Sequence, residues 1–131
     1  MPFHEALTDG TWTPDPLIID DQALIVHVAG HGLVVLTGCG HAGIINIVRY
    51  ARRLTGVDTV AAVVGFHLSG PAFEPIIKPT VEALAEIGAE AILPAHCTGW
   101  RAAHALAQAM PEAYIPNSVG SRLELRDGLL T

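Results

Sequence analysis

The sequence predicts an α/β fold built on a mostly parallel sheet with right-handed crossover connections. Runs rich in β-forming residues alternate with segments of helical periodicity along most of the 131 residues. Two of these runs, Val60–Val64 and Ala91–Leu93, are continuously apolar, which is typical of strands buried on both faces. A chain of this length is the size of one domain.

The amino-terminal part of the chain contains a turn-rich segment followed by a hairpin. Residues 1–16 are rich in Pro, Asp, Thr and Gly and are interpreted as an irregular lead-in to a single α/β domain over residues 17–131. Leu17–Asp20 is a short strand candidate. The β-rich runs Ala23–Val28 and Leu33–Thr37 are joined by a glycine-bearing turn, and together they predict a β-hairpin.

The rest of the chain predicts helices that alternate with strands. Apolar residues from Ile44 to Leu54 lie on one helical face, and Gly56 ends that helix. A Gly- and Pro-rich loop follows the strand Val60–Val64. The later predicted elements are a helix Thr80–Ile87 closed by Gly88, the strand Ala91–Leu93, a helix capped by Thr98 that runs to Met110, late strands at Tyr114–Ile115 and Arg122–Leu125, and a turn at Asp127–Gly128.

Composition limits the classes of function. Half of the residues are hydrophobic and only 15% are charged, so either the core is large or some apolar surface binds a partner. The net charge of −6, without a basic stripe, argues against nucleic acid. No run reaches the ~18 apolar residues of a membrane span, and no signal peptide is recognisable. Two cysteines are too few for a disulfide scaffold, so we expect a cytoplasmic protein with reduced thiols.

Three of the seven histidines follow predicted buried strands. His41 comes after Leu33–Thr37, His67 after Val60–Val64 and His96 after Ala91–Leu93. Ligands collect at the carboxyl ends of the strands in such sheets, and imidazole is a common ligand for zinc and similar metals. The spacing therefore predicts a metal site of His41, His67 and His96. The alternatives are loop histidines bonded to backbone and a compact α/β binding domain without metal.

The other histidines and the two cysteines have simpler interpretations. His27 and His31, on the hairpin, are expected to face solvent. Cys39 and Cys97 each lie within two residues of a candidate ligand, so a mixed His/Cys site is possible. The favoured interpretation of both cysteines is a small buried apolar side chain.

Several segments together resemble a known family. Gly32–Ile47 contains Gly-Cys-Gly-His, and it is followed by Phe66-His67-Leu68, by Pro94–Gly99 with Ala-His-Cys-Thr-Gly, and by Pro116–Gly120. In this order they resemble a branch of the metallo-β-lactamase superfamily described as metal-dependent hydrolases, some of them dihydropterin ribofuranosyl-aminobenzene phosphate synthases. The resemblance covers nearly the whole chain after residue 14 and implies half of an αββα sandwich, with a mixed, mostly parallel sheet and helices on one face.

The resemblance also assigns roles and shows two departures. It implies that His41 completes a first metal site and His96 a second, while His67 stands where the superfamily usually has a bridging aspartate. The branch usually has two glycines before Phe-His, whereas this sequence has Val64-Gly65. The His-x-His-x-Asp-His cluster of the amino-terminal half is absent from the sequence, so the resemblance is to the carboxy-terminal half alone.

The function that the resemblance implies is metal-dependent hydrolysis of a small-molecule ester or phosphoester by metal-bound hydroxide. The cofactor would be one or two divalent metals, zinc or else manganese or iron. A site divided between two halves would require a complementary amino-terminal half or self-pairing as a homo-oligomer. The alternative is a non-catalytic metal-binding or interaction module left from a truncated hydrolase. No catalytic side chain is assigned by the sequence.

Overall fold

The computed structural model describes residues 5–19, 21–126 and 129–130. The elements in chain order are β1 (Glu5–Thr8), β2 (Thr11–Pro14), β3 (Ala23–Val28), β4 (Gly32–Thr37), α1 (Ile44–Thr55), β5 (Val60–Val64), a 3₁₀ turn (Pro71–Phe73), α2 (Glu74–Ile87), β6 (Ala91–Leu93), α3 (Trp100–Ala109), β7 (Leu125–Arg126) and β8 (Leu129–Leu130).

The central sheet has the strand order β3-β4-β5-β6. β3 pairs with β4 in the antiparallel direction, whereas β4 pairs with β5, and β5 with β6, in parallel, so the predicted mixed, mostly parallel sheet is confirmed. One face of the sheet packs against all three helices. Its core consists of sheet residues such as Leu33 and Ile92 together with Val48 of α1, Leu84 of α2 and Leu106 of α3. Each of these side chains is fully buried.

The opposite face of the sheet, called the open face below, is also apolar. Side chains alternate between the two faces of a strand, and the strand register places those of the open face in two rows. The rows are Leu24, Leu36, Val64 and Leu93, and Val26, Val34, Ala62 and Ala91. Ile115 and Leu123 cover the β5–β6 side. On β3, Leu24 is 61% and Val26 40% exposed.

The amino-terminal segment is more regular than its composition suggests. The predicted irregular lead-in contains the antiparallel hairpin β1–β2, with Thr8 opposite Thr11. Its turn residues Asp9 and Gly10 both have positive φ, as a type I′ hairpin turn requires. The dipeptide Asp-Gly is the sequence signal for such a turn, and turn-rich composition obscured it.

The predicted strand at Leu17–Asp20 is wrong for the residues that the structure describes there. Pro16, Leu17 and Ile19 lie in turns, and Asp20 lies outside the described residues. The Asp15 carboxylate accepts a hydrogen bond from the Ile19 amide (3.2 Å), and the Ile18 amide donates to the Asp15 carbonyl (3.3 Å). These local bonds favour a turn over a strand. Ile18 has φ +48°, a strained conformation for a β-branched residue.

The helices agree with the sequence to different extents. α1 has the predicted extent, and Gly56 ends it with φ +69°. α2 begins at Glu74, six residues before the predicted start, because Pro75 is favourable in the first turn and Pro79 is tolerated inside the helix. α3 begins after Gly99, and Thr98 does not cap it. None of the described helices is long and apolar enough to cross a membrane.

The remaining differences concern short segments. Tyr114 makes a single parallel bridge to Ile92 in place of the predicted strand. The last predicted strand is shifted, since β7 covers Leu125–Arg126. The predicted turn at Asp127–Gly128 lies outside the described residues. His27 is exposed as expected, but His31 is only 9% exposed, so the expectation of a solvent-facing side chain is wrong there.

Candidate metal centre

Three loops meet at the carboxyl edge of the parallel strands, after β4, β5 and β6. Backbone hydrogen bonds join the second loop to the third: Gly65 donates to Leu93 (2.9 Å), Leu68 to Cys97 (3.0 Å) and Gly99 to Leu68 (2.9 Å). The hydroxyl of Thr98 donates to the Phe66 carbonyl (2.7 Å). This bond explains why Thr98 does not cap α3, and it holds the two loops at a fixed spacing.

The loop that carries His41 is held by a carboxylate from outside the sheet. Asp21 accepts hydrogen bonds from the backbone amides of Gly40 (3.1 Å) and Ala42 (2.9 Å), on either side of His41. Gly40 has φ +80°, and a Cβ there would lie 3.2 Å from the Phe66 Cα. Only glycine accommodates both the conformation and this close approach. His41 is therefore positioned against the loop of His67.

Metal-ligating atoms converge between these loops. The Sγ atoms of Cys39 and Cys97 and a ring nitrogen of His67 all lie within 4.8 Å of one another. Cys39 Sγ is 3.5 Å from His67 Nδ1, and the Cys97 thiol donates to the Cys39 carbonyl (3.3 Å). Ligands of a tetrahedral zinc ion stand about 3.8 Å apart for Zn–S bonds of about 2.3 Å. The donor set and its spacing therefore fit such an ion after small side-chain adjustments.

Both thiols are partly buried and reduced. Burial, together with the neighbouring Cys39 thiol, raises the pKa of Cys97 to about 12. At neutral pH the Cys97 side chain is thus a protonated thiol in the metal-free protein. A bound metal cation would favour the thiolate form of Cys97, since a thiol that coordinates a metal loses its proton.

The three histidines predicted from the sequence do not all lie together. The ring centroids of His41 and His67 are 4.9 Å apart in an edge-on arrangement. On its other side His67 packs against Phe73, with a centroid separation of 4.5 Å. His96 has an exposed side chain and is outside the cluster of ligand atoms found among the described residues, although its neighbour Cys97 belongs to that cluster.

The structure gives Cys39, Cys97 and Asp21, which the sequence offered only as secondary candidates, defined positions at the site. Each cysteine is close in sequence to a candidate histidine, which indicated a mixed site without deciding against simple burial. The hydrophobic periodicity of strands and helices does not predict which side chains from different loops come together at the edge of the sheet. Asp21 precedes β3, and nothing in its local sequence indicates that it caps a loop 19 residues later.

Two cavities open beside His41 and His67, and both of these histidines line both cavities. The first, about 430 Å³, lies between α1 and α2. The second, about 550 Å³, is bounded by Phe73 and by the strained turn at Ile18. Volumes of this size suit small molecules. The histidine pair therefore stands where a bound small molecule could reach it from either side.

Two curated proteins of Methanocaldococcus jannaschii are similar to this chain. The 7,8-dihydropterin-6-methyl-4-(beta-D-ribofuranosyl)-aminobenzene-5'-phosphate synthase is 35% identical over 85 residues, which are 64% of this chain and 29% of that protein. The uncharacterized protein MJ0448 is 33% identical over 108 residues, or 82% of this chain and 38% of that protein. No protein-family profile matches the chain.

A solved structure is similar over nearly the whole chain. It is the crystal structure of Tm1679, described as a metal-dependent hydrolase of the beta-lactamase superfamily, with 32% sequence identity and a TM-score of 0.81. The match covers 94% of this chain and 47% of that chain. This chain thus spans about half of the solved protein and a smaller share of the curated relatives.

Proposed function

We propose that this chain, which carries one half of the metallo-β-lactamase superfamily fold, forms part of the metal centre of a hydrolase with its loops after β4, β5 and β6. The reaction would be hydrolysis of a small-molecule ester or phosphoester. The observation that carries the proposal is the position of His67, whose ring lies 4.9 Å from that of His41 and 3.5 Å from the Cys39 thiol. Convergence of this kind from separate strands makes a rigid ligand set.

The proposed ligands are His41, His67 and His96. His41 and His67 are already adjacent, and His96 belongs to the same loop as Cys97, which reaches the cluster. A rotation of the exposed His96 side chain towards that cluster would complete the set. Zinc is the proposed ion, with manganese or iron as alternatives, because imidazole suits all three.

The chain's own side chains have defined tasks in this proposal. A bound divalent ion would supply Lewis acidity and lower the pKa of a water molecule. Asp21 holds the His41 loop through two backbone amides, and Thr98 holds the His67 loop through the Phe66 carbonyl. Phe73 packs on His67 and limits the ring's freedom, which keeps it oriented for a ligand role.

A second candidate is a metal-binding module without hydrolytic activity. The observation that favours it is the presence of two thiols beside His67, since sulfur-rich sets are typical of closed, structural zinc sites. In this case Cys39, His67 and Cys97 would hold the ion, and His41 and His96 would be dispensable.

Metal content separates the two candidates. Zinc, manganese and iron per chain are measured by mass spectrometry for the wild type and single variants. His104→Ala on α3 is the matched control, because that histidine is exposed and lines neither of the two cavities beside His41 and His67. We expect His67→Ala to lower metal affinity by more than the roughly 10–100-fold typical of losing a residue that only orients a ligand through a hydrogen bond.

The pattern among the other variants decides between the ligand sets. Loss in His41→Ala and His96→Ala, with retention in Cys39→Ser and Cys97→Ser, supports the hydrolase set. Loss in the cysteine variants alone supports the binding module. Metal retained at wild-type affinity in His67→Ala contradicts both candidates.

The proposed activity also needs the half of the fold that this chain does not span. We expect that half to pack on the open face, where Leu24 is 61% exposed and lies beside further apolar side chains. The span of 47% of the solved relative supports this expectation, because a second sheet of similar size would bury the bare apolar rows. A hydrolase centre would then have ligands from both halves.

Co-expression with the remaining half of the solved relative tests this packing. We expect the two to purify together, and we expect Leu24→Asp to abolish the association. Leu54→Asp is the matched control, since Leu54 is 63% exposed on α1, away from the open face. If the chain alone forms a dimer that Leu24→Asp dissociates, a second copy occupies the face instead. Equal association of both variants contradicts the proposed surface.

A further inference from the structure

The cavity between α1 and α2 has one charged end. It extends from His41 and His67 along the first turns of α1 to Arg49, and its walls are mostly apolar. The chain has 13 acidic residues and a net charge of −6, yet no acidic residue lines this cavity among the described residues. Its local electrostatic character is therefore opposite to that of the whole chain.

Arg49 differs from the other arginines of α1 in its contacts. Arg52 donates to the Ile87 carbonyl (3.2 Å), and Arg53 stacks over the Tyr50 ring at 4.9 Å. Within the described residues, no carboxylate lies within ion-pair distance of Arg49. A guanidinium has five donors in a planar fork, which suits a phosphate or carboxylate group. Arg49 thus offers its donors to a molecule in the cavity.

The position of Arg49 on the helix directs it towards the histidines. Side chains of an α-helix incline towards its amino terminus, and residues three or four apart share one face. Arg49 is three residues after Asn46, whose amide donates to the Ala42 carbonyl next to His41 (2.8 Å). Asn46 therefore fixes the loop between the two ends of the cavity, and its amide group is engaged there.

A neighbouring depression extends the positive surface. It has a volume of about 380 Å³ and is lined by Asn46, Arg49, Tyr50 and Arg53, so it joins the first cavity through two shared residues. This depression also contains no acidic side chain among its lining residues that the structure describes. Arg53 would add a longer-range attraction, weaker than that of Arg49 because it lies outside the main cavity.

We propose that the cavity between α1 and α2 binds an anionic small molecule, with Arg49 as the residue that recognises its phosphate or carboxylate group. The apolar body of the molecule lies against Phe73 and Ile76, and its other end reaches His41 and His67. The proposal rests on the proposed function in one respect: the end of the molecule at His41 and His67 is the end that reacts. Anion binding by Arg49 itself requires no metal.

Ligand titrations followed by NMR test the proposal on the chain in the presence of a metal chelator. The probes are phenyl phosphate, benzoate and the neutral benzyl alcohol. We expect at least one anion to bind about tenfold or more tightly than benzyl alcohol, since charge-assisted hydrogen bonds are roughly twice as strong as those between neutral groups. Comparing phenyl phosphate with benzoate shows which anion the site prefers.

Variants identify the residue responsible. Arg49→Ala is expected to weaken anion binding about tenfold and to leave benzyl alcohol unaffected, while Arg53→Ala has a smaller effect. Arg122→Ala is the matched control, because Arg122 is exposed and paired with Glu124 on another segment. Arg49 is exposed, and the amide spectrum of each variant reports whether the fold is retained.

Each outcome has a definite consequence. Anion affinity unchanged in Arg49→Ala, or equal affinity for the anions and benzyl alcohol, overturns the proposal. Arginine-dependent anion binding supports the anion site, and if the separate measurement of metal content shows metal retained at wild-type affinity in His67→Ala, the proposed hydrolase centre alone is contradicted. Metal binding without arginine-dependent anion binding supports the proposed metal centre and contradicts the anion site. The two proposals can therefore fail independently.

Discussion

The two faces of the central sheet have the same kind of residues and very different surroundings. On the helix-covered face Leu33 and Val35 of β4 are 0% exposed, beneath side chains from three helices. On the open face Leu24 and Val26 of β3 are 61% and 40% exposed, although their strand is just as apolar. The open face is buried on its β5–β6 side, where Ala62, Ala91 and Leu93 are at most 5% exposed. Its apolar side chains therefore remain in contact with water mainly on β3.

The difference between the faces shows which one contributes most to the stability of the chain and which one keeps apolar surface exposed. Burial of apolar surface stabilises a fold by roughly 25 cal/mol per Å², and the covered face has most of it. The open face keeps apolar area exposed on β3, which monomeric proteins generally avoid in large patches. The covered face thus has most of the core, and the open face is the surface on which the proposed second half would pack. Three substitutions of graded burial test this distinction.

The largest expected effect is that of Leu33→Ala on the covered face. Removal of a fully buried leucine side chain leaves a cavity among rigid neighbours, so we expect the free energy of unfolding to fall by about 2–5 kcal/mol. Urea denaturation followed by circular dichroism measures the change. A loss below about 1 kcal/mol would mean that the helices do not pack on β4 as described.

An intermediate effect is expected for Ile115→Ala, at the covered edge of the open face. Ile115 is half-buried over Ala62, Ala91 and Leu93, and its amide donates to the Ile92 carbonyl (2.9 Å). The backbone bond survives the substitution and only part of the side-chain burial is lost, so we expect a decrease of about 1–2 kcal/mol. A decrease equal to that of Leu33→Ala would show that the open face has a complete core of its own.

Much of the fold could be predicted because its signals are local. The apolar runs at Val60–Val64 and Ala91–Leu93 require burial on both faces, and Gly56 ends α1 with the positive φ that its position suggested. The start of α2 before Pro75 and Pro79 was missed because proline predicts a break. The first turn of a helix has no need of the amide that Pro75 lacks, and Pro79 is tolerated inside the helix. The strand at Leu17–Asp20 failed because the bonds to Asp15 outweighed β propensity.

The candidate site could be predicted only in outline. The order of strand and loop places His41, His67 and His96 on one edge, but side-chain directions within loops depend on contacts between distant segments. Gly40 passes 3.2 Å from Phe66, and the Cys97 thiol reaches the Cys39 carbonyl 58 residues away. Such contacts brought the two cysteines to His67 and left the His96 side chain exposed. No pattern in a single sequence contains that information.

The smallest expected effect is that of Leu24→Ala, the same chemical change as Leu33→Ala on the other face. Since the side chain of Leu24 is mostly exposed, its removal should change the free energy of unfolding of the chain alone by only about 0.5 kcal/mol. The loss of free energy of unfolding should be larger when the complementary half of the fold is bound, because the Leu24 side chain is then buried. Urea denaturation with and without that half measures the two values. A loss as large as that of Leu33→Ala in the monomeric chain alone, with no increase on binding, would remove the distinction between the faces.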